Sequence, residues 1–202
     1  MKVGLYFGSF NPIHIGHLII ANYMADYTDF DQVWLVVSPH NPHKKKSSLL
    51  AYNHRLTLVQ IAVEGNNKIK ASNIEFKLTK PSYTVTTLAY LKEKFPKNEF
   101  SLLMGEDNLR TFHKWFNFEE IIDNHKIYVY PRVLTEQEKK GVEKSKGISS
   151  VLDHQNITVC TEVPVMKISS SFIRKAIKNG KDVQYLLSEP VLKYVDEMNF
   201  YR

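Results

Sequence analysis

Short apolar runs alternate along this chain with loop segments and with stretches whose apolar residues have helical spacing. The apolar runs that predict strands cover residues 2–7, 33–37, 73–76, 100–104, 127–130 and 157–160. Helical patterns cover residues 15–27, 56–65, 83–94 and 172–178, and a last one begins at Pro190. Strands that alternate with helices in this way are typical of a parallel sheet that helices cover on both faces. The pattern therefore predicts an α/β fold.

The chain has 202 residues, which fits one domain over residues 1–202. Its 43% hydrophobic and 24% charged residues are typical of a globular protein and exclude disorder and collagen-like structure. The single cysteine, Cys160, can form no intrachain disulfide, and no cysteine cluster exists to hold zinc or an iron–sulfur centre. Residues 135–150 are rich in lysine and glutamate and interrupt the pattern, so we expect a flexible insertion there.

The charge balance favours anionic partners. There are 27 Lys and Arg residues against 21 Asp and Glu, a net charge of +6. Nucleic acid, acidic lipid and phosphorylated small molecules all fit this balance, and a mildly basic protein without a polyanion partner fits it too. The apolar runs are far shorter than the ~20 residues that cross a bilayer, and the first residues turn polar too soon for a signal peptide. We therefore expect a cytoplasmic protein that binds no membrane.

Three loops follow predicted strands and hold residue types that bind phosphate: residues 8–17, 38–46 and 105–107. In open parallel sheets, ligands bind beyond the carboxyl ends of the strands, where the loops lead into helices. All three loops have that position in the predicted fold. The arrangement indicates a site for a phosphorylated ligand.

The first of these loops runs from Gly8 to the start of a helix near Ile15. Glycine allows a sharp turn and a close approach of the backbone, and the helix N-terminus attracts anions. His14 and His17 are three residues apart, so their Cβ atoms should lie about 5–6 Å apart on one helix face. Two imidazoles in this position can donate hydrogen bonds to phosphate oxygens. A metal pair and two structural histidines are the alternatives, and the neighbouring residues are poor metal ligands.

A second anion site is predicted near the other end of the chain. Ser169, Ser170 and Ser171 supply N-cap oxygens at a helix start, and Arg174 lies three residues further on. An arginine at that distance can reach a phosphate bound at the helix N-terminus. A plain serine cap beside a surface arginine is the alternative.

Both segments resemble signatures of one superfamily. Residues 8–17, GSFNPIHIGH, resemble the loop of the nucleotidyltransferases that have an HxGH motif, and residues 168–174, ISSSFIR, resemble their ISSTxIR segment with Ser171 in place of threonine. The resemblance implies a Rossmann-like sheet in a single nucleotidyltransferase domain. It also implies that ATP is bound by Gly8, Ser9, Phe10, His14, Gly16, His17, Ser169, Ser170, Ser171 and Arg174.

The middle of the chain resembles one branch, the bacterial nicotinate-nucleotide adenylyltransferases. Residues 42–44, PHK, residues 81–84, PSYT, and residues 105–109, GEDNL, followed by Lys114 and Trp115 match segments of that family. Residues 185–187 and 191–201 resemble its C-terminal part. The similarity covers nearly the whole chain except the 135–150 insertion.

A nicotinate ring is flat and carries a carboxylate, so its site should offer an aromatic face and hydrogen-bond donors. Trp115 supplies a face, Tyr83 and Thr84 supply donors, and Lys44 is expected to bind the nucleotide phosphate. A core tryptophan, a threonine-capped helix start and a solvated lysine run are the respective alternatives. Gly105 and Asp107 are also expected to bind ATP, with Asp107 contacting the ribose hydroxyls. An ordinary N-cap is the alternative for Asp107.

The resemblance implies transfer of the adenylyl group of ATP to nicotinate mononucleotide, giving deamido-NAD and pyrophosphate in NAD biosynthesis. His14, His17, Lys44 and Arg174 would bind the triphosphate, with no enzyme nucleophile and no nucleic acid partner. Mg²⁺ is the expected cofactor, held mainly by phosphates and water, so no side-chain metal site is predicted. Transfer to nicotinamide mononucleotide or another phosphorylated acceptor is the alternative, and a non-catalytic nucleotide- or RNA-binding module is a more distant one.

Three residues depart from the family pattern. Asn11 stands where aspartate is usual, Lys80 replaces the glycine before Pro81, and Thr86 replaces an aspartate. Asn11 keeps a hydrogen-bond acceptor but lacks the charge, which rules out a catalytic carboxylate there. Thr86 is expected to change one contact near the acceptor pocket.

Overall fold

A six-stranded sheet lies at the centre of the computed structural model, which describes residues 1–39, 49–79, 82–132 and 149–202. Its strands are β1 (Lys2–Gly8), β2 (Gln32–Val37), β3 (Ile69–Ser72), β4 (Glu99–Gly105), β5 (Ile127–Tyr130) and β6 (Ile157–Val159). The strand order is β3-β2-β1-β4-β5-β6, and every neighbouring pair is parallel. This is the strand order of the Rossmann fold.

Helices connect and follow the strands. In the described ranges they are α1 (Ile15–Tyr27), α2 (Tyr52–Ala62), α3 (Thr84–Lys94), α4 (Glu106–Leu109), α5 (Phe118–Asn124), α6 (Ser149–Leu152), α7 (Ser170–Lys178) and α8 (Glu189–Glu197). Single 3₁₀ turns cover Ile74–Lys77, Phe112–Lys114 and Gln184–Leu186. None of the helices in these ranges combines the length and the apolar character that a membrane crossing requires.

The sheet separates two apolar clusters because successive side chains of a strand point to opposite faces. Val3 and Leu5 of β1 pack on one face, with residues of α3, α4 and α5. Tyr6 packs on the opposite face, with residues of α1, α2, α7 and α8. The structure confirms the predicted α/β, Rossmann-like parallel sheet with helices on both faces.

The strand predicted over residues 73–76 is wrong. The third strand is Ile69–Ser72, which pairs with Val33–Val36 of β2, and residues 74–77 form a 3₁₀ turn. Alternation of Ile74, Glu75 and Phe76 mimics a strand, but Glu75 is buried and its Oε1 accepts a hydrogen bond from Thr87 of α3 at 3.0 Å. Pairing along the sheet therefore ends before the apolar residues on which the prediction rested.

The centre of the sheet is where ligands of such folds bind. The strand order reverses on either side of β1, so the loops after β1 and β4 diverge and leave a crevice beyond Gly8 and Gly105. The loop after β2 lies at the same edge, because the Ser38 N–H donates to the Gly8 carbonyl at 2.9 Å.

Arg55 of α2 connects these loops from inside the protein. Its side chain is completely buried, and burial lowers its pKa to about 10, so the guanidinium stays charged at neutral pH. Nε donates to the Leu50 carbonyl at 3.0 Å, Nη1 to those of Ser9 and Ser38 at 2.7 Å each, and Nη2 to that of Pro39 at 2.9 Å. One cation therefore fixes the loops after β1 and β2 and the start of α2.

A buried carboxyl group continues this network towards α3. Glu75 bonds to the Ser38 side chain as well as to Thr87, and burial raises its pKa. Ser38 thus joins Arg55, through its carbonyl, to Glu75, through its hydroxyl. The loops at the sheet edge and the first turn of α3 are parts of one hydrogen-bonded unit.

We expect Arg55→Met to lower the free energy of unfolding by about 3–5 kcal/mol, because it leaves buried carbonyls without donors. Arg55→Lys should lower the free energy of unfolding by less than Arg55→Met does, because a lysine ammonium group can bond to some of the four carbonyls but cannot reach all of them. Urea denaturation measures both. Lys68→Met is the control: it removes an exposed ion pair with Asp26 and should cost less than about 1 kcal/mol. Equal losses for Arg55→Met and Lys68→Met would contradict the role of Arg55.

Candidate active site

The loop after β1 is shaped by an aromatic residue in a left-handed backbone conformation. Phe10 has a φ of 44° and folds its ring over Gly8, where an added Cβ would lie 2.7 Å from a ring carbon. Only 1% of Phe10 is exposed, and the following Asn11–Pro12 peptide bond is cis. The side chain of Phe10 therefore belongs to the core, and any contact with a ligand is left to its backbone.

The two histidines of this loop lie together at the start of α1, as their spacing predicts. His14 is the N-cap, and its ring stacks on that of His17 with centroids 3.7 Å apart and 26° between the planes. The backbone N–H of His14 donates to His17 Nδ1 at 3.3 Å. A neutral imidazole whose Nδ1 accepts carries its proton on Nε2. His17 is therefore held as an Nε2–H donor.

His14 is a buried, uncharged imidazole. The residue is 6% exposed, and burial, with a smaller contribution from the charge of Arg132, lowers its pKa to about 4. Its Nδ1 is enclosed and has no hydrogen-bond partner in the described part of the chain. Gly16 makes room for the ring, since a Cβ there would lie 3.2 Å from it. At neutral pH this histidine can act as a hydrogen-bond donor or acceptor but not as a cation.

The serine segment forms the N-terminus of α7. Ser169 is the N-cap, and its Oγ accepts the backbone N–H of Phe172 at 3.2 Å. Ser171 Oγ accepts from Arg174 Nη2, also at 3.2 Å. The serine cap predicted from the sequence is present, and Arg174 lies one turn after Ser171 in the same helix.

The two predicted anion-binding segments touch each other. Ser170 Oγ donates to the carbonyl of Pro12 at 2.9 Å, and Arg174 Nη1 donates to that of Asn11 at 2.8 Å. These pairs are 158 and 163 residues apart in sequence. The guanidinium of Arg174 therefore lies beside the loop that ends at His14.

Asn11, one of the three departures from the family pattern, is buried where several parts of the chain meet. Only 1% of it is exposed, and its Oδ1 accepts from the backbone N–H of Leu50 at 3.2 Å and from the hydroxyl of Tyr201 at 3.0 Å. Together with the bond from Arg174 to its carbonyl, Asn11 joins three separate parts of the chain. Sequence reasoning predicted none of these contacts.

At the end of β4, Asp107 forms an ion pair with Arg132. Its carboxylate lies over Gly105, where an added Cβ would be 2.5 Å from Asp107 Oδ1 and 3.3 Å from the Tyr130 ring. Gly105, not Asp107, is the N-cap of α4, so the N-cap alternative for Asp107 is wrong. Neither Arg132 nor its pairing was predicted.

Two buried tyrosines, Tyr6 and Tyr130, lie next to these groups and are uncharged. The hydroxyls of Tyr6 and Tyr130 lie 3.0 Å apart and are buried, and the rings of Tyr6 and His17 are 6.1 Å apart. Burial raises the pKa of Tyr6 well above its usual value and that of Tyr130 to about 12. Both phenols are neutral at physiological pH.

The residues predicted to bind the nicotinate nucleotide lie at the start of α3 and after α4. Tyr83 is the N-cap of α3 and is 40% exposed, and Thr84 is the first residue of that helix. The ring of Trp115 is half-buried against Phe112, at 5.4 Å between centroids. Phe116, which was not predicted, is 53% exposed, and its ring lies 4.8 Å from that of Tyr83. The structure thus pairs Tyr83 with Phe116 and leaves Trp115 partly in the core.

Several predicted positions fall outside the described residues: Lys44, Lys80 and the 135–150 insertion up to residue 148. Thr86 is exposed on α3. Within the described ranges, no three His, Cys, Asp or Glu side chains gather in a way that could hold a metal ion. The alternative of a metal bound by His14 and His17 therefore has no third ligand there.

Comparison with known proteins agrees with the motifs. Residues 5–176 match the family model described as cytidylyltransferase-like. A protein of Christiangramia forsetii is 58% identical over 201 residues, which cover 100% of this chain and 98% of that protein. A protein of Flavobacterium johnsoniae is 55% identical over 202 residues, covering 100% of both chains. Both are named "probable nicotinate-nucleotide adenylyltransferase".

A solved structure has the same fold. Nicotinic acid mononucleotide adenylyltransferase of Plasmodium falciparum, complexed with NaAD, matches with a TM-score of 0.77 and 19% identity, over 99% of this chain and 97% of that one. Identity at this level supports the fold alone. The family-model match and the relatives that align over the full length do more, because they show that the chain belongs to the nicotinate-nucleotide adenylyltransferase family of cytidylyltransferase-like proteins.

Proposed function

We propose that this protein transfers the adenylyl group of ATP to nicotinate mononucleotide, forming deamido-NAD and pyrophosphate in NAD biosynthesis. Full-length relatives at 55% and 58% identity, named for this activity, support the proposal. The observation that carries it is the bond from Arg174 to the Asn11 carbonyl, which brings the two segments predicted to bind anions next to each other. A nucleotide triphosphate needs such a concentration of donors and positive charge.

The phosphates of ATP would be bound by the Nε2–H of His17, the N-terminus of α1 and the guanidinium of Arg174. Ser169, Ser170 and Ser171 would contribute the N-terminus of α7, which is nine residues long. Gly8, Ser9, Phe10, Gly16 and Gly105 would contribute backbone, and Asp107 would contact the ribose. Ser170 and Ser171 already hold Pro12 and Arg174, which supports a role for them in shaping the site.

In the proposed reaction, a phosphate oxygen of nicotinate mononucleotide attacks the α-phosphorus of ATP. The bond from that phosphorus to the bridging oxygen breaks in line, and pyrophosphate leaves with the electron pair. The protein forms no covalent intermediate. Its contribution is to orient the two anions and to stabilise the charge that grows on the leaving group.

The uncharged state of His14 suits this task. A neutral imidazole can donate a hydrogen bond that strengthens as charge develops, without repelling the charge of Arg174 or Arg132. Lys44 is proposed to bind the phosphate groups as a further cation. Tyr83, Thr84 and Trp115 are proposed to bind the nicotinate nucleotide, and the exposed ring of Phe116 beside Tyr83 supports the same location.

A divalent metal ion accompanies ATP in transfers of this kind, and we propose Mg²⁺. The described residues fit an ion held by phosphate oxygens and water, because they offer no cluster of carboxylates and Asp107 is paired with Arg132. When bound, the ion would neutralise phosphate charge. We also propose that residues 1–202 form one nucleotidyltransferase domain, since both apolar clusters pack on the same sheet. A cytoplasmic location and the absence of nucleic acid and membrane partners stay predictions.

A panel of acceptors tests the proposed function. Incubation with ATP, Mg²⁺ and nicotinate mononucleotide should release pyrophosphate and give deamido-NAD. Nicotinamide mononucleotide and phosphopantetheine should react far more slowly in parallel reactions. Pyrophosphate release is followed by a coupled assay and the product by mass spectrometry. Faster reaction with either of the other acceptors, or none with any, would refute the assignment.

His17→Ala should lower kcat by roughly 10²–10³-fold, the effect of removing one transition-state donor. The fold should persist, because His17 is only partly buried. Steady-state kinetics and circular dichroism measure the two effects. His154→Ala is a suitable control, because His154 precedes β6 and so lies at the amino edge of the sheet, opposite the proposed site. This variant should keep normal turnover. Near-normal turnover of His17→Ala would remove this residue from the chemistry.

Trp115→Ala should raise the KM for nicotinate mononucleotide more than the KM for ATP, because stacking involves only the acceptor ring. Trp34→Ala is the matched control: the other tryptophan packs against Phe95 and Phe100 and touches neither substrate in the proposed site. It should change both KM values alike. If Trp115→Ala also changed the two KM values alike, Trp115 would be a core residue that does not contact the nicotinate ring.

A further inference from the structure

The segment after α8, residues 199–202, turns back towards the active-site loop. Asn199 has a φ of 52°, its N–H donates to the Asp196 carbonyl at 3.1 Å, and the N–H of Phe200 donates to that of Val195 at 3.0 Å. This pair of bonds is the Schellman motif, in which a left-handed residue ends a helix and reverses the chain. Asparagine tolerates that conformation better than most residues.

Side chains then fix the reversed segment. The ring of Phe200 lies 5.0 Å from that of His54 in α2 and 5.8 Å from that of Tyr194 in α8. Arg202 forms an exposed ion pair with Asp196 at 3.0 Å. Packing of Phe200 between two helices leaves Tyr201 facing the loop after β1.

Tyr201 itself has a strained backbone and a partly buried hydroxyl group. Its φ is 67°, a conformation that is rare for a bulky residue and persists only where the surroundings enforce it. The hydroxyl donates to Asn11 Oδ1 at 3.0 Å, across 190 residues of sequence. Burial raises the pKa of Tyr201, and the nearby charges of Arg174 and Arg55 partly offset this rise. The hydroxyl therefore lies among the groups that organise the site.

We propose that Tyr201 is a positioning residue for adenylyl transfer, which acts by holding Asn11 so that Arg174 and the two histidines face the same nucleotide. This inference rests on the proposed function for its reaction. The Oδ1 atom of Asn11 receives the bond from Tyr201, and the carbonyl of the same residue receives the bond from Arg174. A shift of Asn11 would therefore move the guanidinium relative to His14, three residues further on.

Tyr201→Phe removes the hydroxyl and keeps the ring, so it tests the bond alone. Tyr194→Phe is the matched control, because the Tyr194 hydroxyl bonds to His54 Nδ1 at 3.1 Å on the same side of the molecule without touching the loop. We expect Tyr201→Phe to lower kcat about tenfold, since small misplacements of catalytic groups have large effects on rate. Tyr194→Phe should stay within about twofold of the unmodified chain, at a similar melting temperature.

A double-mutant cycle identifies the partner. If Tyr201 acts through Asn11, then Tyr201→Phe should add little to the loss already caused by Asn11→Ala. Multiplicative losses would overturn the proposal. Equal losses of kcat in Tyr201→Phe and Tyr194→Phe, or normal kcat in Tyr201→Phe, would also overturn it.

Binding of α,β-methylene-ATP, measured by calorimetry, separates this inference from the proposed function. Tyr201→Phe should weaken the binding of this analogue several-fold, and Tyr194→Phe should not. If the unmodified chain failed to form deamido-NAD, the proposed function would fall, while the analogue would still report on Tyr201. Unchanged affinity in Tyr201→Phe would refute the positioning role whichever acceptor the protein uses.

Discussion

A cation inside a protein is stable only where dipoles replace the water that it has lost. Arg55 meets this condition with four backbone carbonyls from the loops after β1 and β2 and from the start of α2. Loops at the carboxyl edge of a sheet have few regular hydrogen bonds of their own, so a common donor inside the protein decides their shape. The loops of the proposed site are therefore held in place by a buried cation that contacts no ligand in the proposed reaction.

The side chains near the loops that Arg55 holds are a combination of neutral hydrogen-bond donors and a few cations. His14 and the tyrosines Tyr6 and Tyr130 are kept uncharged by burial, whereas Arg174 and Arg132 carry charge at the sides. Phosphate oxygens prefer such an arrangement, because fixed dipoles and cations act together where water is excluded. The ion pair between Asp107 and Arg132 also keeps a carboxylate beside the site without leaving its charge uncompensated.

Much of this could be predicted from local sequence, and the rest depends on distant contacts. Strand and helix periods gave the fold class, and the three-residue spacings predicted the histidine pair at the start of α1 and the placing of Arg174 near Ser171. The register that ends β3 at Ser72 was not visible, because pairing with β2 decides it. One feature of the sequence could have indicated that Arg55 is buried: it lies on the same helix face as the apolar residues Leu58 and Val59, which are both buried. Nothing local indicates that Tyr201 reaches Asn11, and Lys44 lies outside the described residues.

Residues that meet at the Asn11 junction come from near both ends of the sequence. During synthesis on the ribosome, a chain that stops before α7 has the histidine loop but lacks the guanidinium that completes the proposed triphosphate site. Only a fully docked chain would then bind ATP tightly, and a ligand that binds only the native state stabilises it by mass action. If the proposed site binds ATP, the nucleotide would therefore stabilise a chain in which α7 is docked and would not stabilise one that ends before α7.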